Sequence, residues 1–187
     1  MRIGVLGGTF DPPHVGHLIV ASETCAALEL DRVVFVPSAR PPHKRSTVQA
    51  TAEQRLRMVL AAVDGDPRFE VDDLELRRGG ASYTVDTLRE LQRRCPRCEL
   101  FFLIGADALR DLPTWREPDE VMRLARLVTF ERGGEATGEV EGVLRIPVTR
   151  VDISASEIRR RVHEGEPIRY LVPDPVREII EGEGLYK

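Results

Sequence analysis

The chain has 187 residues, 42% of them hydrophobic, which is enough to build one domain around a sizeable core. Its net charge of −4 and its aromatic content of 5% argue against nucleic-acid binding, which usually needs a basic surface and stacking side chains. Neither a secretory signal nor an apolar run of membrane-spanning length is found, so we predict a cytoplasmic protein that binds neither membranes nor nucleic acids.

The apolar pattern predicts strands that alternate with helices along most of the chain. In chain order the predicted elements are strand 2–6, helix 15–30, strand 32–36, helix 51–63, strand 69–71, helix 84–94, strand 99–104, helix 117–124, strand 127–130, strand 143–146, helix 154–163 and helix 173–181. A Gly- and Glu-rich stretch, 133–142, predicts a solvated loop. The alternation predicts an α/β fold, a doubly wound Rossmann-like parallel sheet with helices on both faces. We expect one domain over 1–187 with a small helical C-terminal part from about residue 152.

The loop between the first strand and the first helix reads Gly-Gly-Thr-Phe-Asp-Pro-Pro-His-Val-Gly-His, from Gly7 to His17. In open α/β sheets ligands bind at the carboxyl ends of the strands, where this loop lies. Gly7 and Gly8 let the backbone approach a phosphate, and His14 and His17 flank Gly16 at the helix start. The pattern favours an anion site over a Gly-rich turn with two incidental surface histidines. It matches neither the dinucleotide fingerprint nor a P-loop.

Lysine usage singles out a second loop. Lys44 and Lys187 are the two lysines among 27 basic Lys and Arg residues. A lysine kept beside His43 in so Arg-rich a chain indicates a site that needs a compact ammonium group. Chance retention is the alternative.

At these motifs the chain resembles the bacterial nicotinate-nucleotide adenylyltransferases of the His-x-Gly-His nucleotidyltransferase superfamily. Further segments match in order: PSARPPHK at 37–44, SYTVDT at 82–87, GADAL at 105–109, ISASEIR at 153–159 and YLVPDPV at 170–176. One position departs from the family, whose C-terminal motif commonly reads Ile-Ser-Ser-Thr-x-Ile-Arg. Here Ala155 and Ser156 stand at its third and fourth positions, so Ala155 offers only its backbone N–H.

The resemblance implies that the phosphate of nicotinate mononucleotide attacks the α-phosphorus of ATP, giving nicotinate adenine dinucleotide and pyrophosphate, a step in NAD biosynthesis. No protein nucleophile is needed, so the protein positions substrates and neutralises charge. His14, His17 and Lys44 are predicted to act on the reacting phosphates. The predicted ATP-binding residues are Gly7, Gly8, Thr9, Phe10, Gly16, Gly105, Asp107, Ile153, Ser154, Ser156 and Arg159. Mg²⁺ is expected on the ATP phosphates, so no protein metal ligand is predicted.

For the acceptor, the helix start near Ser82 and Thr84 could supply N–H groups to the nicotinate carboxylate. Trp115 could stack on the pyridine ring, the alternative being a tryptophan packed in the core. Arg132 matches a family position near the acceptor phosphate, the alternative being a solvated surface charge. Related transferases for nicotinamide mononucleotide, pantetheine phosphate or glycerol phosphate, and a non-catalytic nucleotide sensor, are the competing functions.

The three cysteines have no spacing typical of a disulfide framework. Cys95 and Cys98 are interpreted as a chance pair, because a zinc site would need a second pair of ligands. Whether the chain forms a homo-oligomer is left open.

Overall fold

The computed structural model describes residues 1–40, 48–132 and 141–187. Within these ranges the strands are β1 (Arg2–Gly8), β2 (Arg32–Pro37), β3 (Phe69–Val71), β4 (Glu99–Ile104), β5 (Arg126–Arg132) and β6 (Val143–Val148). They form one sheet in the order β3-β2-β1-β4-β5-β6, and each neighbouring pair is parallel. The strand order reverses between β1 and β4, so the crevice for a ligand lies beyond the carboxyl ends of these two strands.

The helices of the described ranges connect these strands and cover the sheet. They are α1 (Val15–Ala27), α2 (Ala52–Val63), α3 (Leu74–Arg78), α4 (Thr84–Arg94), α5 (Ala106–Asp111), a 3-10 helix (Leu112–Thr114), α6 (Pro118–Leu124), α7 (Ala155–His163) and α8 (Asp174–Glu183). The predicted α/β fold with a doubly wound parallel sheet is therefore confirmed. None of the described helices is long and apolar enough to cross a membrane.

The sheet is buried on both faces, as the strand sequences require. Successive side chains of a strand point to opposite faces. In β4, Leu100 and Phe102 join a core cluster with Leu88 of α4, whereas Phe101 joins a second cluster with Val20 of α1. The two layers of helices therefore each bury one set of alternating residues.

The C-terminal helices pack on α2 through a third apolar cluster. Met58 of α2, Ile158 of α7 and Ile180 of α8 are at most 1% exposed and belong to this cluster. Tyr186, next to the C-terminus, belongs to it too. This packing places the last residues of the chain near the start of α2.

Some local predictions are confirmed and others need correction. The predicted capping box opens α2, since Thr51 Oγ1 accepts from Gln54 N at 3.2 Å and Gln54 Oε1 accepts from Thr51 N at 2.8 Å. The short helices α3 and α5 were not predicted, because 5 and 6 residues are too few to show a helical period. Residues 133–140 of the predicted loop 133–142 lie outside the described residues.

Cys95 and Cys98, interpreted from the sequence as a chance pair, are bonded to each other in the structure. The structure joins their sulfur atoms in a disulfide, across a Cα–Cα distance of 5.4 Å. A tight turn after α4 brings them together, because Cys98 N donates to Cys95 O at 3.0 Å. A local turn, rather than a framework of several bridges, makes this pair.

Candidate active site

The loop from β1 to α1 lies at the carboxyl edge of the sheet, and the buried side chain of its own residue Phe10 supports it. A Cβ on Gly8 would lie 2.9 Å from Phe10 Cζ, so glycine is needed there. Phe10 itself has φ 50 and is 2% exposed, and its ring meets the His17 ring edge-on at 5.0 Å. The predicted contribution of Phe10 to an ATP site is therefore limited to its main chain.

The rings of His14 and His17 are in close contact at the start of α1, with an interplanar angle of 31°. Their ring centroids are 3.8 Å apart, and His14 N donates to His17 Nδ1 at 3.1 Å. While Nδ1 accepts this bond it carries no proton, so a neutral His17 ring has its proton on Nε2. The local structure thus makes His17 Nε2 a hydrogen-bond donor.

Gly16 allows the His14 ring to take this position. A Cβ at residue 16 would lie 3.1 Å from His14 Nδ1 and 3.2 Å from Cε1, closer than most real contacts. His14 is 5% exposed and so has little room to move. No acidic residue stands in the first turn of α1, so the positive end of the helix dipole is left for an anion.

Asp11 is the buried centre that holds this loop to the rest of the molecule. Its carboxylate, 2% exposed, accepts from Gln49 N at 2.8 Å, Ala50 N at 3.1 Å and the Tyr186 hydroxyl at 2.8 Å. Burial, and secondarily the Asp11 charge, raise the pKa of Tyr186, so its hydroxyl stays protonated and donates. The main-chain carbonyl of Asp11 accepts from Arg159 Nη1 at 2.7 Å.

The start of α7 stands beside the same loop through this Arg159 contact. Ser154 Oγ accepts from Glu157 N at 3.1 Å and so caps the helix. Ser156 is exposed, and Ile153 is half-buried against the third core cluster. The hydroxyl of Ser154 is thus engaged in the cap, whereas the first N–H groups of α7 have no partner within the helix.

The predicted acceptor residues Ser82 and Thr84 flank the start of α4. Tyr83 is the N-cap of α4 and makes no side-chain cap bond, which leaves the first N–H groups, including that of Thr84, without an intrahelical partner. Ser82 Oγ accepts from Ala39 N at 2.9 Å and from Arg40 N at 3.3 Å. The Ser82 hydroxyl is therefore tied to the chain that follows β2.

A buried carboxyl lies behind this acceptor segment. Glu75 of α3 is 7% exposed, and Thr87 Oγ1 donates to it at 2.5 Å. Burial raises the pKa of Glu75, although hydrogen bonds from the Ser82 and Thr87 hydroxyls act in the opposite direction. The carboxyl thus orients the Thr87 hydroxyl toward itself.

Trp115, Gly105 and Asp107 surround the carboxyl end of β4. Trp115 is half-buried, and its ring meets the Phe102 ring edge-on at a centroid distance of 6.2 Å. The Phe102 ring also lies 3.6 Å from where a Cβ of Gly7 would be, so this ring stands between β4 and the end of β1. Gly105 is the N-cap of α5, and Asp107 is exposed and ion-paired with Arg110.

Two predicted residues cannot be placed. Lys44 lies outside the described residues, and Arg132 ends β5 with its side chain outside them. Among the described residues no group of three or more His, Cys, Asp or Glu could hold a metal ion. The Mg²⁺ on substrate phosphates stays a prediction.

Arg55 is a buried polar residue that sequence reasoning missed. It is 1% exposed and occupies the same helical stripe as Met58, Val59, Ala62 and Val63. An arginine within an apolar stripe is the sequence signal that could have found it. Burial lowers the pKa of Arg55, and the nearby Asp11 charge opposes this shift.

Comparison with known proteins gives concordant matches over the whole chain. The cytidylyltransferase-like family model matches residues 5–161. A protein of Thermus thermophilus named probable nicotinate-nucleotide adenylyltransferase is 52% identical, with 100% of both chains covered. A protein of Rubrobacter xylanophilus with the same name is 46% identical, over 100% of this chain and 92% of its own.

Solved structures agree in fold. Nicotinic acid mononucleotide adenylyltransferase of Plasmodium falciparum, complexed with NaAD, superposes with a TM-score of 0.83 over 99% of this chain and 97% of its own, at 20% identity. The same protein complexed with APC gives a TM-score of 0.81 at 18% identity, over 99% and 96% of the two chains. At these identities the likeness shows the fold alone.

Proposed function

The chain belongs to the nicotinate-nucleotide adenylyltransferases of the cytidylyltransferase-like family, and from this we propose how its residues transfer the adenylyl group of ATP to nicotinate mononucleotide. The observation that carries the proposal is the close contact of the His14 and His17 rings at a helix start, where the strand order reverses. A phosphate oxygen of the acceptor attacks the α-phosphorus of ATP, and the bond to the bridging oxygen of the β-phosphate breaks. Nicotinate adenine dinucleotide and pyrophosphate are the products.

His17 is assigned to the reacting phosphates. Its Nε2–H can donate to a non-bridging α-phosphate oxygen, or to the oxygen that leaves with pyrophosphate, where negative charge builds in the transition state. His14 holds His17 in this tautomer through the bond from His14 N to His17 Nδ1. Lys44, which follows β2 in the sequence, is assigned to neutralise the same negative charge. This assignment rests on the sequence alone.

The triphosphate is assigned to two helix starts and the Gly-rich loop. In α1 the Val15 and His17 N–H groups already donate to the carbonyl oxygens of Leu171 and His14, so the Gly16 N–H is assigned to the anion. The first N–H groups of α7 and the main chain of Gly7, Gly8 and Thr9 are assigned to it as well. Arg159 bonds the main chain of this loop, and its remaining N–H groups can donate to the β- and γ-phosphates. Mg²⁺ would enter with ATP, held by substrate oxygens and water, and would neutralise phosphate charge, so no protein ligand is assigned to it. The chain after β4, at Gly105 and Asp107, is assigned to the ribose and adenine.

The acceptor is assigned to the start of α4. Backbone N–H groups near Thr84 can donate to both oxygens of the nicotinate carboxylate. The carboxamide of nicotinamide would instead present an NH₂ donor to these N–H groups. A donor facing a donor in a buried site costs about 1–3 kcal/mol, and loss of charge-assisted bonds adds to it. Trp115 is assigned to the pyridine ring and Arg132 to the acceptor phosphate.

The test is pyrophosphate release with ATP, Mg²⁺ and each mononucleotide in turn. We expect kcat/KM for nicotinate mononucleotide to exceed that for nicotinamide mononucleotide by roughly 10²-fold or more, since each 1.36 kcal/mol is about tenfold. Equal values would contradict the anion site at α4 but leave adenylyl transfer intact. Absence of release with either acceptor would contradict the proposed activity.

A further inference from the structure

The guanidinium of Arg55 joins two separate segments beneath the candidate site. Nη1 donates to the carbonyl oxygen of Thr9, in the loop after β1, at 2.7 Å. Nη2 donates to the carbonyl oxygen of Ala39, in the chain after β2, at 3.2 Å. One rigid planar group therefore sets the separation of these two carbonyl groups.

Ala39 is held from its other side by the acceptor segment. Ala39 N donates to Ser82 Oγ at 2.9 Å, and Ser82 N donates to the carbonyl oxygen of Arg40 at 3.1 Å. Hydrogen bonds thus link Thr9 through Arg55 and Ala39 to Ser82, at the acceptor segment.

We propose that Arg55 is a positioning residue that fixes the ATP loop relative to the acceptor segment, acting through Ala39 and Ser82. The proposal rests on the proposed function, which assigns ATP to the loop after β1 and the acceptor to the start of α4. In-line attack demands that two substrates meet within a fraction of an ångström, so the spacing of their two binding segments controls the rate.

An arginine suits this position for a reason of shape as well as charge. Its Nη1 and Nη2 point to two acceptors in one plane, whereas the ammonium of a lysine carries its donors on a single nitrogen. Burial lowers the pKa of this guanidinium, and the charge of Asp11, which is 2% exposed and itself belongs to the ATP loop, opposes that shift. Arg55→Lys therefore keeps the charge and removes the bridge.

The first experiment compares Arg55→Lys with Arg57→Lys in the full chain. Arg57 lies on the same helix, is 55% exposed at its side chain and pairs with Glu183. We expect Arg55→Lys to lower kcat/KM by about tenfold or more in folded protein, with KM raised for both ATP and nicotinate mononucleotide. Arg57→Lys should leave these constants unchanged. Unchanged constants in a destabilised Arg55→Lys would show a purely structural role and overturn the proposal.

The second experiment changes Ser82, the hydrogen-bond partner of the Ala39 N–H, and does not depend on the folding of Arg55→Lys. Ser82→Ala removes the acceptor of the Ala39 N–H, so we expect it to raise KM for ATP as well as for the acceptor. Where Arg55→Lys folds, the two changes together should lower kcat/KM by less than the product of their separate effects. The coupling would be overturned if Ser82→Ala raised KM for the acceptor only. It would also be overturned if kcat/KM of the double variant fell by the full product of the two separate effects. Wild-type pyrophosphate release in the same assay distinguishes these outcomes from failure of the proposed function.

Discussion

At the scale of single residues, His14 and His17 lie side by side but differ in how deeply they are buried. His14 is 5% exposed, and its backbone N–H fixes the ring of its neighbour. His17 is only half-buried, so it is the more accessible residue of the pair. This division assigns the ground-state architecture to His14 and the transition-state contact to His17.

The prediction for His17 follows from this division. We expect His17→Ala to lower kcat by about 10²-fold or more while ATP binding persists, because the lost donor serves charge present mainly in the transition state. His163→Ala, which removes an exposed histidine from the last turn of α7, is the control and should retain wild-type kcat. A raised KM for ATP with unchanged kcat would make His17 a binding residue.

Lys44 gives a residue-scale prediction that rests on the sequence. We expect Lys44→Arg to lower kcat about tenfold or more despite conserving charge, because the guanidinium fork is larger and less adjustable than an ammonium. Lys187→Arg changes the other lysine, an exposed residue at the C-terminus, and should be neutral. Steady-state kinetics of both variants measure the difference, and equal turnover would remove the special role of Lys44.

At the scale of elements, three helix starts meet at the carboxyl edge of the sheet. The starts of α1 and α7 are linked by the bond from Arg159 to the Asp11 carbonyl. The start of α4 is linked to the chain after β2 through Ser82. The positive ends of these helix dipoles therefore lie where we propose that the polyphosphate and the acceptor bind.

Glycine placement in two helices supplies an element-scale prediction. Gly16→Ala should lower kcat/KM about tenfold although alanine favours helix, because its Cβ would press on the buried His14 ring. Gly182→Ala in α8 meets nothing within 4 Å and is the matched control. It should raise the free energy of unfolding by about 0.5–1 kcal/mol without changing kcat/KM. Equal kinetics of the two variants would contradict the steric role of Gly16.

The same elements show what a sequence can and cannot specify. The long buried strands and α2 were predicted within a few residues, because their period and the Thr51 capping box are local signals. The cap of Ser154 was likewise foreseeable from its place before an amphipathic helix. By contrast, the partners of Ser82 and Arg55 come from other strands and helices, so only the folded chain identifies them. The disulfide depended on a turn geometry that spacing alone does not fix.

At the scale of the whole molecule, the two ends of the chain meet at the candidate site. Tyr186 and Asp11 are 175 residues apart in sequence, yet the tyrosine hydroxyl bonds the carboxylate in a buried setting. The apolar cluster of α2, α7 and α8 carries Tyr186 there. The C-terminal helices thus form a support for the loop that holds His14 and His17.

Tyr186→Phe tests this support and keeps the ring in the apolar cluster. Loss of a buried hydrogen bond to a charged group costs about 1.5–3 kcal/mol, which for a chain of this length lowers Tm by roughly 3–12 °C. Tyr170→Phe, at a residue 78% exposed, is the control and should change Tm little. Because the pKa of Tyr186 is raised above its ordinary value of 10.0, the contribution is fully present below about pH 10 and is lost only as the pH rises through the higher folded value. The Tm difference should therefore be constant between about pH 7 and pH 9. A wild-type Tm for Tyr186→Phe would show that Asp11 is held sufficiently by its other partners, Gln49, Ala50 and Arg159.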